Sequence, residues 1–181
     1  TLIVKIDGNI NNMSAIKVRV KMQTISSLES SSGSSITSKN KLNGSSIALK
    51  SSSGSEIDVE LEYESVSCES TSGSEIKASG KALRLETQSS SGSEIDASNL
   101  AVNEVFAQST SGSSTTVNPI VKLDAKASSG SSIDYIQEPT KITKEEDLLA
   151  TLELRLFREV PFETFFVTDC LINFYCNKFQ W

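Results

Sequence analysis

The fold is decided by one stretch, residues 53–64, which reads SGSEIDVELEYE. After the Ser-Gly-Ser tripeptide, alternate residues from Ile57 to Tyr63 are apolar, and the residues between them are acidic. This alternation is typical of a β-strand with one face buried and the other in water. The tripeptide predicts a tight corner, because glycine accepts positive φ and serine hydroxyls bond to nearby backbone groups.

The same corner recurs along the chain. Successive corner glycines are 21, 19, 19, 20 and 18 residues apart, and most are followed three residues later by isoleucine. Because the same segment returns in the same direction, the strands of successive repeats are expected to pair in parallel. The alternative, a flexible Ser/Gly linker, does not explain apolar residues in fixed register. We therefore predict an all-β fold, a right-handed parallel β-helix (solenoid) with about 20 residues per coil and Ser-Gly-Ser corners. The glycines are Gly33, Gly54, Gly73, Gly92, Gly112 and Gly130, and the isoleucines are Ile36, Ile57, Ile76, Ile95 and Ile133, with Thr115 in the fifth repeat.

The amino-acid composition limits the classes of function that the chain can have. The chain has 181 residues, 34 of them serine, and a net charge of −6, which argues against nucleic acid as a partner. No run reaches the roughly 18–20 apolar residues of a membrane-spanning helix, so no transmembrane segment is predicted. The sequence has no histidine, the commonest general base and a usual metal ligand. We expect no enzyme activity and assign no catalytic, metal-binding or cofactor-binding residue. The three cysteines (Cys68, Cys170 and Cys176) contain no CxxC pair and predict no disulfide framework.

Acidic residues recur at fixed places after the corner. Stacking of coils would bring three glutamates into a column with neighbours about 4.8 Å apart. Such a column is compatible with a cation or sugar site, and also with a solvated acidic stripe that opposes aggregation. We favour the stripe. The glutamates are Glu56, Glu75 and Glu94, and the aspartates after the isoleucine are Asp58, Asp96 and Asp134, with Lys77 at that place in the third repeat.

Aromatic residues that stack on sugars are few before residue 147, where only Tyr63, Phe106 and Tyr135 are found. Tyr63 falls on the apolar side of its strand and is predicted to lie in the core. Repeat proteins usually bind along an extended face. Nothing in the sequence favours one face, so the ligand-binding residues are left unassigned.

The corners followed by isoleucine, closing with SGSSIDY at residues 129–135 and then Pro139, resemble the head GIN domain family of auto-transporter adhesins. The resemblance covers residues 16–144. It implies a right-handed β-helix similar in shape to pectin lyases and hexapeptide acyltransferases, without their catalytic residues. It also implies an envelope protein of Gram-negative bacteria. The chain departs from the family pattern at Gln137, where a glycine is usual. Residues 1–22 are interpreted as the remainder of an incomplete N-terminal part.

The composition changes at residue 147. We interpret residues 1–146 as the β-helix domain and residues 147–181, which lack serine and hold six of the seven phenylalanines, as an atypical hydrophobic tail. The tail is interpreted as a cap over the last coil, with a helix over 148–158 and a strand over 165–174. A frameshift is the alternative interpretation. The next corner is due near residue 149, and Asp147-Leu148-Leu149-Ala150 can be encoded GAT CTT CTG GC, which two bases later reads Ser-Ser-Gly.

These observations predict a non-catalytic module of the cell surface or envelope, used for adhesion. Its location is predicted to be extracytoplasmic, at the cell surface, on the outer membrane or in the periplasm. Host glycans or matrix proteins are the partners that an adhesin implies, and a homo-oligomer is left open. Two rivals remain. One is a carbohydrate-active enzyme with the glutamates or Asp58 and Asp96 as acids, and the other is a structural envelope spacer.

Overall fold

Parallel strands make up the regular structure of this chain. The computed structural model describes residues 2–4, 17–147 and 149–155. Within these residues each strand pairs in parallel with a strand about one coil away, and the chain winds into a β-solenoid of about 7 turns without helices. The predicted fold class is therefore confirmed. The strands are β1 (Ser27–Ser30), β2 (Ser35–Thr37), β3 (Leu42–Ser52), β4 (Glu56–Thr71), β5 (Glu75–Ser89), β6 (Glu94–Ser109), β7 (Ser114–Ala127), β8 (Ser132–Tyr135), β9 (Lys141–Glu146) and β10 (Thr151–Leu154).

Equivalent residues of successive repeats lie side by side. Ile57 of β4 pairs with Ile76 of β5, which in turn pairs with Ile95 of β6. In the fifth repeat Thr115 takes the place of isoleucine, and it pairs with Ile95 on one side and Ile133 on the other. The repeat length in the sequence is therefore the stacking period of the coils.

The core is a set of apolar columns that run through the coils. The four isoleucines Ile57, Ile76, Ile95 and Ile133 are all 0% exposed. Burying each such side chain contributes about 1.5–3 kcal/mol. Because every side chain in a column contacts those of the coils before and after it, a few apolar residues per coil suffice.

Each corner is a turn in which two consecutive residues have positive φ. Ser53 has φ +55° and Gly54 has φ +68°. In the fourth corner the N–H of Ser93 donates to the carbonyl of Ser90 at 3.3 Å. These features are those of a type I′ turn. The sequence predicted positive φ for the glycine but not for the serine before it, since serine has no strong preference for this region. The serines are Ser32, Ser53, Ser72, Ser91, Ser111 and Ser129.

Hydrogen bonds join the corners of neighbouring coils. The N–H of Gly54 donates to the carbonyl of Ser72 at 3.1 Å, and that of Gly73 donates to Ser91 at 3.2 Å. The last serine of each tripeptide bonds to backbone, as the sequence predicted. In five of the six corners, all but the first, this serine is buried inside the solenoid. Ser74, for example, is only 2% exposed, and its Oγ lies 2.8 Å from the Ser51 carbonyl oxygen of the preceding coil.

A glycine outside the corners also determines the path of the coil. Gly80 has φ +112°, and a Cβ at this position would overlap the carbonyl oxygen of Leu61 in the preceding coil. The pairing of β5 with β6 shifts register between Lys77 and Gly80. The extra residue of β6 is accommodated in this region. The sequence did not single out Gly80, because it lies within a strand and outside the repeated tripeptide.

A seventh corner forms where the repeat phase predicts it. The N–H of Ala150 donates to the carbonyl of Asp147 at 3.0 Å, and Leu149, with φ +74°, occupies the place that Gly130 takes one coil earlier. Thr151 then pairs with Ser132. The frameshift and the domain boundary at residue 147 stay predictions.

The predicted helix over 148–158 is wrong at residues 151–154. They form strand β10, in which Leu152 lies inside the solenoid at 9% exposure and stacks on Ile133. Alternate leucines, Leu152 and Leu154, fit the solenoid period, and the parallel partner β8 supplies the backbone hydrogen bonds that a short helix would have made internally. The cap and the predicted strand over 165–174 lie outside the described residues.

Candidate functional site

The predicted glutamate column exists. Glu56, Glu75 and Glu94 are paired in register on adjacent strands. The ammonium group of Lys77 lies 2.8 Å from a carboxylate oxygen of Glu75 and 3.4 Å from one of Glu56, so it neutralises part of the column. The hydrogen bond to Glu75 raises the pKa of Lys77. Across the described residues no group of three or more acidic or cysteine side chains is arranged to hold a metal ion.

The aspartates lie in the neighbouring column, around a shallow depression. Asp58, Lys77 and Asp96 follow one another in register and line the depression together with Ser79 and Asn99. Asp58 and Asp96 are two strands apart, a separation of roughly 9–10 Å between their backbones. This backbone separation is close to the largest distance found between the two catalytic carboxylates of an inverting glycosidase. Lys77, however, lies between Asp58 and Asp96 in the column.

Asp134 is in a different environment from the other two aspartates. It is 5% exposed, and its carboxylate forms an ion pair with Arg155, whose Nε lies 2.8 Å from Asp134 Oδ2. Burial raises the pKa of Asp134, while the Arg155 charge acts in the opposite direction. We interpret this ion pair, in which Asp134 is buried and Arg155 is exposed, as a structural contact between β8 and the residue that follows β10.

Two of the three aromatic side chains in the described residues are buried. Tyr63 is 4% exposed, as predicted for a core residue, and its hydroxyl donates to the carbonyl of Ile25 at 2.8 Å. Tyr135 is 6% exposed and accepts a hydrogen bond from Lys144 Nζ at 3.0 Å. Neither ring is available to stack on a sugar.

Phe106 is the aromatic residue that faces outward. It lies half-buried between Val105 and Ala107, which point into the core at 0% and 1% exposure. Arg84 of the preceding coil and Lys122 of the following coil are placed over its ring, with Cζ 5.7 Å and Nζ 4.6 Å from the ring centroid. The sequence contained this signal, because Phe106 is out of phase with the inward residues Val105 and Ala107.

An apolar groove lies on another part of the surface. Leu83 and Ile120 are 56% and 43% exposed and line it with Tyr63, Ala82 and Ala101. Charged and polar residues (Glu62, Glu64, Lys81 and Asn103) complete its wall. The sequence did not indicate this groove, because its lining residues, from Gly44 to Ile120, belong to five different coils.

Within the described residues, no helix has the length and hydropathy needed to cross a bilayer. Among proteins with curated descriptions, none matches the chain. A solved protein from Bacteroides fragilis, described as a putative adhesin, has the same fold, with a TM-score of 0.63 and 23% sequence identity. The match covers 67% of this chain and 56% of that one, so the present chain spans little more than half of its structural neighbour.

A family model matches residues 1–139. It reaches further towards the N-terminus than the resemblance noted above and includes the segment before the first strand. The matched region also includes all six Ser-Gly-Ser corners, the columns that they align and the outward-facing Phe106. The chain therefore belongs to the family described as putative auto-transporter adhesin, head GIN domain.

Proposed function

We propose that this chain is a non-catalytic adhesion module that acts outside the cytoplasm, at the cell surface or in the envelope. The observation that carries the proposal is membership of an adhesin family over residues 1–139. The solenoid architecture supports it, because stacked coils present long regular faces that suit extended ligands. Host glycans or matrix proteins are the ligands we propose.

Binding of the purified domain to an array of glycans and matrix proteins tests this function. We expect discrete, saturable binding to a small set of related ligands by protein whose far-UV circular dichroism is that of a folded β-protein. A folded domain that binds nothing on the array would contradict the proposal and favour a structural spacer in the envelope.

A carbohydrate-active enzyme is the second candidate, and the depression around Asp58 and Asp96 is the observation that favours it. If those carboxylates act as acid and base, the domain releases reducing ends from a polysaccharide and the Asp58→Asn and Asp96→Asn variants do not. No release from a panel of neutral and acidic polysaccharides would exclude this candidate for those substrates.

A further inference from the structure

One outward face of the solenoid carries a cluster of aromatic and basic side chains that has no role in the function proposed above. It is formed by the C-terminal parts of β5, β6 and β7 together with β9. We call it the Phe106 surface and define it by Arg84, Phe106, Lys122 and Lys141. The four residues belong to four successive coils, so the cluster extends along the stacking axis.

The ring of Phe106 brings two cations to the centre of this surface. Lys122 Nζ and the Arg84 guanidinium both lie within 6 Å of the ring centroid, where the electron-rich ring faces attract positive charge. Arg84 is also paired with Glu104 at 3.2 Å. The ring and its cations form an amphipathic platform, with the carboxylates of Glu86 and Asp124, the register partners of Phe106, on the same face.

Lys122 and Lys141 form a stacked pair of like charges. They are register partners on β7 and β9, about 4.8 Å apart at the backbone. Neither makes an ion pair with a carboxylate of the described residues, although Lys126 and Glu145, partners on the same two strands, pair at 2.9 Å. Like charges placed opposite each other destabilise a sheet, and an anion bound between them would relieve the repulsion.

We propose that the Phe106 surface binds an acidic polysaccharide, with a sugar carboxylate or sulfate between Lys122 and Lys141. The apolar face of a neighbouring sugar ring then packs against Phe106, and the exposed Gln108 amide on the same strand hydrogen-bonds to sugar hydroxyls. This inference rests on the proposed adhesive function and names the class of ligand. A chain of sugars running along the stacking axis would contact several coils at once.

The test measures binding of the full chain to polygalacturonate, to heparin and to neutral dextran by isothermal titration calorimetry. We expect the wild type to bind an acidic polymer, more weakly as salt is added, and not to bind dextran. The Lys122→Ala/Lys141→Ala variant should lose about tenfold in affinity, since it removes the two exposed charges that the anion would contact. Phe106→Leu should also weaken binding while both lysines remain.

A matched control is Lys39→Ala/Lys81→Ala. It removes the same charge from other places on the solenoid, where these lysines likewise make no ion pair within the described residues. Equal losses in both double variants would indicate non-specific attraction and overturn the proposal. Specific binding of neutral glycans or proteins without acidic polymers would overturn it and leave the adhesive function intact. No binding to any ligand would overturn both. Comparing polygalacturonate with heparin separates carboxylate from sulfate recognition.

Discussion

The last serine of each corner carries several interactions on one oxygen atom. Ser74 Oγ accepts a hydrogen bond from the N–H of Thr71 at 3.1 Å and lies 2.7 Å from the carbonyl oxygen of Thr71. It also lies 2.9 Å from Ser70 Oγ and 2.8 Å from the Ser51 carbonyl oxygen. The hydroxyl therefore closes its own turn and connects it to the preceding coil. Serine is small enough to fit there, and its hydroxyl supplies partners for the backbone groups of the turn and of the preceding coil.

Replacing this hydroxyl should be costly. We expect Ser74→Ala to lower the free energy of unfolding by about 1–3 kcal/mol, because the partly buried Thr71 N–H and the carbonyl of buried Ser51 lose a partner. Ser67→Ala is the control, since Ser67 is exposed on the outer face of β4 and should change stability by less than about 0.5 kcal/mol. Denaturant unfolding followed by circular dichroism measures both. Equal effects would show that the buried hydroxyl is not important.

Leu149 is under backbone strain that the six glycines avoid. It has φ +74° at the corner position and its side chain is 87% exposed, so it gains little from burial in return. A non-glycine residue in the left-handed region costs roughly 1–2 kcal/mol. We expect Leu149→Gly to raise the free energy of unfolding of the last coil by about 1 kcal/mol. Hydrogen exchange of the β10 amides measures it.

The reverse substitution is the control for that prediction. Gly130→Leu puts leucine into the equivalent place one coil earlier, with φ +71° and open space around the Cβ, and should destabilise that coil by a similar amount. If Leu149→Gly leaves exchange unchanged while Gly130→Leu speeds it, the seventh corner does not limit the stability of the last coil.

At the scale of elements, β9 differs from every strand before it. It follows β7 in register, so Lys144 takes the inward place of Ala125 and Glu146 that of Ala127. The two alanines are 0% and 3% exposed, whereas all of β9 is exposed. Lys144 is held by the Tyr135 hydroxyl and lies 4.9 Å from the ring centroid. Within the described residues β9 pairs with β7 and has no strand on its other side. Inward charges at such an edge oppose the addition of another strand, because stacking would bury them.

Removing these charges should therefore promote association. We expect Lys144→Ala/Glu146→Ala to form concentration-dependent oligomers or fibrils, because the alanines continue the two interior columns. Lys141→Ala/Glu145→Ala has the same change of composition at outward positions of the same strand and should behave like the wild type. Analytical ultracentrifugation over a range of concentrations compares them. Association of both variants, or of neither, would argue against edge protection by the inward pair.

At the scale of the whole molecule, stability should vary along the solenoid axis. Each coil contacts only its neighbours, so central coils are supported on both sides and terminal coils on one. Strands β4, β5 and β6 contain most of the fully buried side chains, whereas β9 contains none. We expect native-state hydrogen exchange to be slowest in β5 and to become faster towards β2 and β9. Uniform protection from β2 to β9 would show instead that the solenoid unfolds as one cooperative unit.

The sequence was sufficient to predict the solenoid, because the two patterns that indicate it are local in the chain. Alternation from Ile57 to Tyr63 identifies the strand, and the recurring glycine identifies the corner. Features that depend on the pairing of different coils were not predictable in this way. The overlap that Gly80 avoids involves a carbonyl group 19 residues earlier in the chain, at Leu61. The strand character of residues 151–154 was missed because a four-residue segment has almost no pattern of its own.

The candidate site was predicted only in part, for the same reason. The stacking of Glu56 on Glu75 follows from the repeat length alone. The position of Lys77 between carboxylates depends on which rotamer a long side chain adopts, and spacing does not determine that. Prediction of the Phe106 surface requires the pairing register of four strands. One of them is β9, where the sequence repeat is no longer recognisable. A search for repeated motifs does not find this cluster, because none of its four residues is part of a repeated motif.

The serine–glycine corner has a consequence for how such chains change in length over evolution. The six Ser-Gly-Ser corners have the same backbone geometry, and the first five bond to the next corner through the same glycine N–H, so one corner can replace another. Duplicating the segment between two of them would extend the solenoid by whole coils, and deleting it would shorten the solenoid, while the interior columns stay aligned. Relatives of this domain can therefore differ in reach without a new core. Recombination between repeats would produce such variants in one step, whereas a globular domain would need many compensating substitutions.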